Sequence, residues 1–443
     1  MISISELYDI YLKCGGNVTT DSRAIKGGEL FIALKGENFD GNAYALQAIE
    51  KGASYALVNE DSEAAASGNP AVCSVPDTFI ALKQLANHHR NQLQVNGKRL
   101  PVIGLTGTNG KTTTKELLRR VLATTYNVSA TEGNLNNDIG VPLTLLKIRP
   151  GTELAVVEMG ANHPDDILHL VEVCEPDFGL ITNVGKAHLL GFGSFEGVCR
   201  AKGQLYDWLQ AHDGQAFVNA DQPVLLDMAA ARNGLKAVSY GVEYDKAVVI
   251  DTDAEHPYLR MCVDGKSLET NLVGSYNAMN VMAAVAVGKH FNVPVDAALE
   301  AIASFEPANK RSQMVRTATN TLIVDAYNAN PSSMAVAIDN FAAMNAAKKL
   351  ALLGDMRELG EDSLKEHVAI VKKLESAGID TIFVGEEFKK ALAMCPDSPR
   401  KGWCASSEDL ASYLENNPVR DTVVLIKGSR GIMMEKTIPQ LLE

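Results

Sequence analysis

Long apolar runs are missing from this 443-residue sequence: none approaches the ~20 residues needed to span a bilayer. Paired cysteines are missing too. The seven cysteines, Cys14, Cys73, Cys174, Cys199, Cys262, Cys395 and Cys404, form no CxxC pair and no metal-ligand spacing, which fits reduced, mostly structural thiols. Basic residues are in deficit. With 41 Lys and Arg against 54 Asp and Glu, the net charge of −13 argues against a nucleic-acid surface as the main function. The opening Met1-Ile2-Ser3-Ile4-Ser5-Glu6 lacks the basic-then-apolar layout of a signal peptide, so a cytoplasmic location is expected. No internal repeat at a fixed period and no low-complexity tract is present. What remains is the composition of a soluble globular protein, 46% hydrophobic and 21% charged, long enough for two or three domains.

The chain is organised around Ile103-Gly104-Leu105-Thr106-Gly107-Thr108-Asn109-Gly110-Lys111-Thr112-Thr113-Thr114. The apolar run Pro101 to Leu105 reads as a buried strand, and Thr113 to Ala123 carries apolar residues at helical spacing. A glycine-rich turn between strand and helix makes a phosphate cradle, because free backbone N–H groups and the positive end of the helix dipole face an anion. Gly107, Thr108, Asn109, Gly110, Lys111, Thr112 and Thr113 are therefore expected to bind nucleotide. Lys111 would reach the terminal phosphates and the Thr112 hydroxyl would sit on Mg²⁺. Leu105 stands where the strict Walker pattern has its first glycine, so the loop is the variant GxxGK[ST]. A glycine turn without a ligand does not account for Lys-Thr-Thr.

Residues 1–98 read as a separate α/β unit. Ser5 can cap a first helix, Leu30 to Leu34 is a strand, and Ala43 to Lys51 a helix closed by Gly52. Within it Thr20-Asp21-Ser22-Arg23 and Lys35-Gly36-Glu37-Asn38-Phe39-Asp40-Gly41 are polar loops that either bind a ligand or are plain turns. The hydrophilic break Asn96 to Arg99 opens a second unit, 99–306. Its strand-like runs Leu154–Val157, Phe178–Thr182, Ala216–Asn219 and Ala247–Asp251 suit a parallel sheet. Pro164-Asp165-Asp166 reads as a helix start with proline in the first turn, and Tyr276 to His290 as an apolar helix. A third alternation, 307–443, has strands at Thr321–Val324, Lys349–Leu353, Thr381–Val384 and Thr422–Ile426. Each of these ends in a polar or glycine-bearing loop, where open parallel sheets bind ligands.

Glu158 ends a strand just before Met159 to His163, and is either a Mg²⁺ ligand beside Thr112 or a strand-end surface residue. His188 ends the next strand in the same manner, which sets it apart among nine histidines, whereas the helical pair His88-His89 is expected at the surface. Lys202 lies in a helix after Ser194 and by composition is one more solvated lysine.

The stretches TGTNGKTTTKELL (106–118), EGNLNNDIGVPLTLL (132–146), VEMGANHPDDI (157–167), GKAHLLGFGSFEGVCRAKGQLY (185–206) and GSYNAMNVMAAVAVG (274–288) resemble the Mur ligase family. These ATP-dependent ligases build the peptide of the peptidoglycan precursor. VDAYNANP (324–331), GDMRELG (354–360) and the amino-terminal DSR (21–23), LFIALKG (30–36) and DG (40–41) narrow the likeness to members that add D-alanyl-D-alanine to UDP-N-acetylmuramoyl-tripeptide. Asn42 departs from the family, which often has His after the DG pair.

The resemblance implies three α/β domains: a central P-loop parallel-sheet ATPase domain, a small amino-terminal UDP-binding domain and a carboxy-terminal Rossmann-like domain receiving the amine. It implies that Lys111, Thr112 and Glu158 hold MgATP, and that His188 and Lys202, the latter as a carbamate, hold a second Mg²⁺. Asn280 would face the adenine, with Arg311 and Asp325 on phosphates and ribose. Asn134, Asn136, Asn137 and Asn162 would lie near the reacting groups. Ser22, Arg23, Lys35, Gly36, Asp40 and Gly41 would contact the UDP substrate. Tyr327, Asn328, Asn330, Asp355, His367, Ser429 and Arg430 would belong to the closing domain, and a monomer is expected.

Three other readings stand beside this one. Folylpolyglutamate synthases share the ATP machinery but lack the amino-terminal domain, and the third-residue-adding ligases carry an Asp-Asn-Pro-Arg tetrapeptide absent here. A nucleotide-switch ATPase is the reading from another class, and it would hydrolyse MgATP without acceptor and amine.

Overall fold

The computed structural model describes residues 2–250, 258–307, 313–396 and 401–442. Four parallel strands, in the order Val18–Thr19, Leu30–Ile32, Tyr55–Asn59 and Val72–Val75, form the amino-terminal sheet. The first helix, Ile4–Lys13, is capped by Ser3 rather than by Ser5. Ser3 lies three residues before Glu6, and the two side chains exchange bonds with each other's backbone N–H in a capping box.

The central sheet has six parallel strands, ordered Val128–Ala130, Leu154–Glu158, Val102–Thr106, Phe178–Ile181, Gln215–Asn219, Lys236–Tyr240. All five residues of Val102–Thr106 and of Leu154–Glu158 are buried, as strands covered on both faces must be. Strand order reverses around Val102–Thr106, so the loop after it opens into a crevice at the carboxyl edge. Two edge strands, Val128–Ala130 and Lys236–Tyr240, escape the sequence reading. The run at Ala247–Asp251 is not in this sheet: Val248–Ile250 joins Tyr258–Val263 and Lys266–Val273 in an antiparallel sheet, and Asp251 lies outside the described residues. Pro164 precedes its helix, Asp166–Cys174, because Asp165 enters it from a left-handed conformation with φ +66°.

The third sheet places Thr321–Asp325 beside Val423–Lys427 and then Lys349–Gly354, Asp380–Val384 and Lys401–Cys404, with an antiparallel edge strand Gln313–Arg316. Its carboxyl edge opens on the same cavity as that of the central sheet.

The first two sheets share one core. A single apolar cluster runs from Leu7, Tyr11 and Leu85 into Val141, Val157 and Leu205. Its polar seam centres on His89, which is 5% exposed and not a surface residue. His89 Nε2 donates to the Ile148 carbonyl at 3.0 Å, which leaves Nδ1 to accept from the Tyr8 hydroxyl at 3.2 Å. Beside it the Tyr11 hydroxyl donates to the Leu146 carbonyl at 2.8 Å. Buried Arg90 binds the Cys174 carbonyl and the Asp177 carboxylate at 3.0 and 2.8 Å.

Candidate active site

Gly107 has φ +147°, and a Cβ there would stand 1.9 Å from Thr182 Oγ1. Only glycine lets the loop lie so close to the neighbouring strand end. The loop is then knitted to that strand end. Thr108 N–H donates to the Asn183 carbonyl at 2.9 Å, Asn109 N–H to Asn183 Oδ1 at 2.9 Å, and Thr182 Oγ1 to the Asn109 carbonyl at 2.6 Å. Asn183 was missed by sequence reasoning, although its place directly after an apolar strand run was the available signal. Gly110 takes φ +78° with Asn280 packed on it, and the helix Lys111–Leu122 starts there. Lys111 Nζ lies along the loop, donating to the Gly107 and Thr108 carbonyls at 2.7 and 3.3 Å.

Behind the loop, Glu158 is 1% exposed and is no surface residue. Its Oε1 accepts from the Thr112 hydroxyl at 3.1 Å and from Asn136 Nδ2 at 2.8 Å, while its buried Oε2 has no partner among the described residues. An orphaned carboxylate oxygen beside a threonine hydroxyl is a donor set suited to a hard divalent cation.

A cavity of about 640 Å³ opens over this loop. From the central unit Thr108, Asn109, Gly110, Lys111, Thr113, Asn136, Glu158, Asn162 and Asn280 line it, and from the third unit Asp325, Tyr327, Asn328 and Asn330 do. Asn280 Oδ1 accepts from Thr114 Oγ1 at 3.0 Å, so this residue braces the phosphate loop as well as lining the cavity. Lys427, given no separate role from sequence, is 2% exposed in its side chain and donates to Asp325 Oδ2 at 2.5 Å and to the Asn328 carbonyl at 3.1 Å. Asn330 Nδ2 reaches Asn109 Oδ1 at 2.9 Å and Lys186 Nζ reaches Glu366 Oε1 at 2.7 Å, so the third unit sits against the phosphate loop.

His188 and Lys202 do not line the cavity wall. His188 Nδ1 pairs with the Glu358 carboxylate of the third unit, and Glu358 also accepts Leu190 N–H on its carbonyl at 3.2 Å. Burial holds the His188 imidazolium below its usual range, against the pull of Glu358. Lys202 is not a solvated lysine: it is 2% exposed, with its amine 5.8 Å from the Phe192 ring centroid. Burial, reinforced by nearby Lys111, pushes its ammonium well below the usual range and favours the neutral amine.

Several of the expected residues are not part of the cavity lining. Asn134 is exposed, and Asn137 Oδ1 accepts from Gly140 N–H at 2.8 Å at the start of the helix Gly140–Leu146. Asp355 is buried and accepts the Glu387 and Phe388 N–H groups at 3.0 and 2.9 Å; burial raises its pKa. His367, fully buried, accepts Met356 N–H on Nε2 at 3.0 Å and donates from Nδ1 to the Ser363 carbonyl at 2.7 Å. A ring nitrogen that accepts a backbone N–H carries no proton, so the ring is neutral, in line with the lowering of its pKa by burial, and it supports the loop. Ser429 is buried, bonding Arg357 N–H and the Ala329 carbonyl, whereas exposed Arg430 places its guanidinium 6.0 Å from the Tyr327 ring centroid. Arg311 lies outside the described residues.

In the first unit Lys35–Gly36 pairs with Phe39–Asp40 as a small hairpin, and Gly41 is needed because a Cβ would stand 2.6 Å from the Leu34 carbonyl oxygen. Asn42 bridges Asp40 Oδ1, at 2.7 Å, and Asn59 N–H, at 2.8 Å, so the departure at this position has a structural use. Ser22 offers its carbonyl to Lys51 at 3.3 Å, and Arg23 grips Asp21 through two bonds that draw the Asp21 carboxyl down to about 2.

Comparison with known proteins adds an independent line. Residues 16–91 match the model described as Mur ligase family, catalytic domain; 105–288 match the Mur ligase middle domain; 310–430 match Mur ligase, glutamate ligase domain. A UDP-N-acetylmuramoyl-tripeptide–D-alanyl-D-alanine ligase of Bacillus subtilis (strain 168) is 33% identical over 432 residues, covering 96% of this chain and 93% of the relative. A crystal structure of MurF from Acinetobacter baumannii superposes with a TM-score of 0.84 at 30% identity, over 96% of this chain and 93% of that one. The MurF ligase of Thermotoga maritima in complex with ADP gives 0.83 at 25% identity, over 96% of both chains.

Proposed function

This chain belongs to the Mur ligase family, and we propose that it joins D-alanyl-D-alanine to UDP-N-acetylmuramoyl-tripeptide at the expense of ATP, as a cytoplasmic monomer making peptidoglycan precursor. The observation that carries this reading is likeness along nearly the whole chain to ligases named for that reaction. In the scheme, the tripeptide carboxylate attacks the γ-phosphate to give an acyl phosphate and ADP. The dipeptide amine then attacks the acyl carbon, phosphate leaves, and the amine proton is lost to solvent.

Residues 1–98 hold the UDP end, 99–306 the ATP, and 307–443 the incoming amine. Lys111 and the N–H groups at the start of its helix address the phosphates, Asp325 the ribose, and Arg430 beside Tyr327 the dipeptide carboxylate. Thr112 and the orphaned Glu158 oxygen would hold Mg²⁺, which when bound offsets the negative charge gathered by triphosphate and carboxylate. Among the described residues no group of three or more His, Cys, Asp or Glu gathers as a metal site. The comparisons lend no support to a carbamate at Lys202. Among the described residues no helix is long and apolar enough to cross a membrane. A closed third unit keeps water from the acyl phosphate.

The test is a matrix of UDP-muramoyl peptides against amines, read by product mass. The dipeptide with the tripeptide should be the efficient pair, and free D-alanine, L-lysine, diaminopimelate and glutamate poor amines. Faster joining of a single amino acid to a UDP-muramoyl dipeptide would refute the substrate pair and leave the ligase chemistry standing. Turnover of MgATP independent of both substrates would favour the switch reading.

A further inference from the structure

We infer that Lys427 is a positioning residue of the nucleotide site, tying the Asp325 carboxylate and the loop 326–330 into one piece that meets the phosphate loop. The inference rests on the ATP-dependent reading given above.

Asp325 and Lys427 are direct partners in the parallel ladder between Thr321–Asp325 and Val423–Lys427, at the carboxyl edge of the sheet. Neighbouring strand ends thus bring opposite charges together at the cavity wall. The Lys427 side chain is 2% exposed against 19% for Asp325, so the carboxylate is the more open member of the pair. One ammonium proton goes to Asp325 Oδ2 and a second to the Asn328 carbonyl. The second bond fixes the loop that carries Tyr327 and Asn330, and Asn330 in turn reaches Asn109 on the phosphate loop. A continuous path therefore runs Lys427–Asn328–Asn330–Asn109, from the third sheet into the cradle.

The chemistry selects a lysine here. A compact ammonium carries three donors on a thin stem and can serve a carboxylate and a carbonyl from one buried point. Removing that cation takes away the one donor that Asp325 and the Asn328 carbonyl share, so carboxylate and loop would lose their common placement.

The experiment compares wild type with Lys427→Met, Lys427→Arg, Asp325→Asn and the Lys427→Met/Asp325→Asn double variant. ADP affinity is read by calorimetry, with KM for ATP, kcat, and affinity for the UDP-muramoyl tripeptide as the control on the welded amino-terminal half. Lys427→Met should weaken ADP and raise KM for ATP by about tenfold or more, with UDP-substrate affinity held. Lys427→Arg should recover part of the loss. The double variant should be no worse than about threefold beyond the worse single, because the two side chains act as one unit.

Wild-type ADP affinity and KM for ATP in Lys427→Met, or losses that multiply in the double variant, would overturn the assignment. If Lys427→Met fails to fold, the double variant, which removes both charges, decides by the same ADP measurement. A wild type that binds ADP but never joins the dipeptide defeats the substrate reading alone, since the binding comparison still tests Lys427.

Discussion

Asn330 donates its side-chain amide to Asn109 Oδ1 at 2.9 Å, joining a loop of the third sheet to the phosphate loop 221 residues earlier. The same side chain caps the helix Pro331–Ala343 by accepting Ser333 N–H at 2.8 Å. Asn330→Ser separates these tasks, because serine is a good cap but too short to cross. We expect a melting temperature close to wild type and a fall of about three- to tenfold in kcat/KM for ATP, the worth of one neutral hydrogen bond. Steady-state kinetics beside a thermal melt checks it.

Glu158→Gln keeps an acceptor for Thr112 and Asn136 and converts the orphaned oxygen into a donor. The fold should survive, and MgATP turnover should fall by at least about a hundredfold, with a weakened response to Mg²⁺ titration. Near wild-type turnover at ordinary Mg²⁺ would remove Glu158 from the metal site.

Gly107→Ala places a methyl 1.9 Å from Thr182 Oγ1 at φ +147°. The strained backbone costs on the order of 1–3 kcal/mol before the clash is counted. Nucleotide binding should be lost, and Thr182→Ala should not restore it, since Thr182 N also lies 3.0 Å from the added carbon. Nucleotide titration of the single and double variants decides.

The His89 seam carries a pH dependence. Burial lowers the His89 pKa in the folded protein, so below about 6.5 the unfolded chain binds a proton that the folded chain refuses. Stability from this group is whole above about pH 6.5 and is lost as pH falls toward its lower native value. His188 and His367 act with the same sign, so His89 appears as a difference. Denaturant midpoints from pH 8 to 5 should fall less steeply for His89→Gln than for wild type, though the variant starts lower.

Where one short stretch of chain dictates an element, the sequence was easy to read. The phosphate loop, the run ending at Glu158 and four strands of the third sheet lie within a residue or two of expectation, because burial on both faces leaves continuous apolar runs, whereas the edge strands Gln313–Arg316 and Lys401–Cys404 were not expected. Half-exposed edge strands such as Val128–Ala130 carry no such run. Side-chain fate was harder, because it depends on the partner across the fold. His89, Lys202 and His367 are polar residues on helices, and only the packing of distant elements makes them buried. The bond of Asn183 to the loop, like that of Lys427 to Asp325, joins strand ends whose adjacency follows from sheet order rather than from local pattern.

Both six-stranded sheets turn their carboxyl edges to one cavity, and neither edge encloses it alone. On the proposed reading the molecule works as a coincidence detector: an energy input and an amine input must meet in a cavity that both sheets line before the output bond forms. On that reading idle consumption of ATP should stay low without an amine, whatever the intrinsic reactivity of the phosphate loop. The same sharing ties product identity to the energy step: the loop 326–330 of the third sheet also reaches Asn109 on the phosphate loop, so rewriting it should disturb the triphosphate end as well.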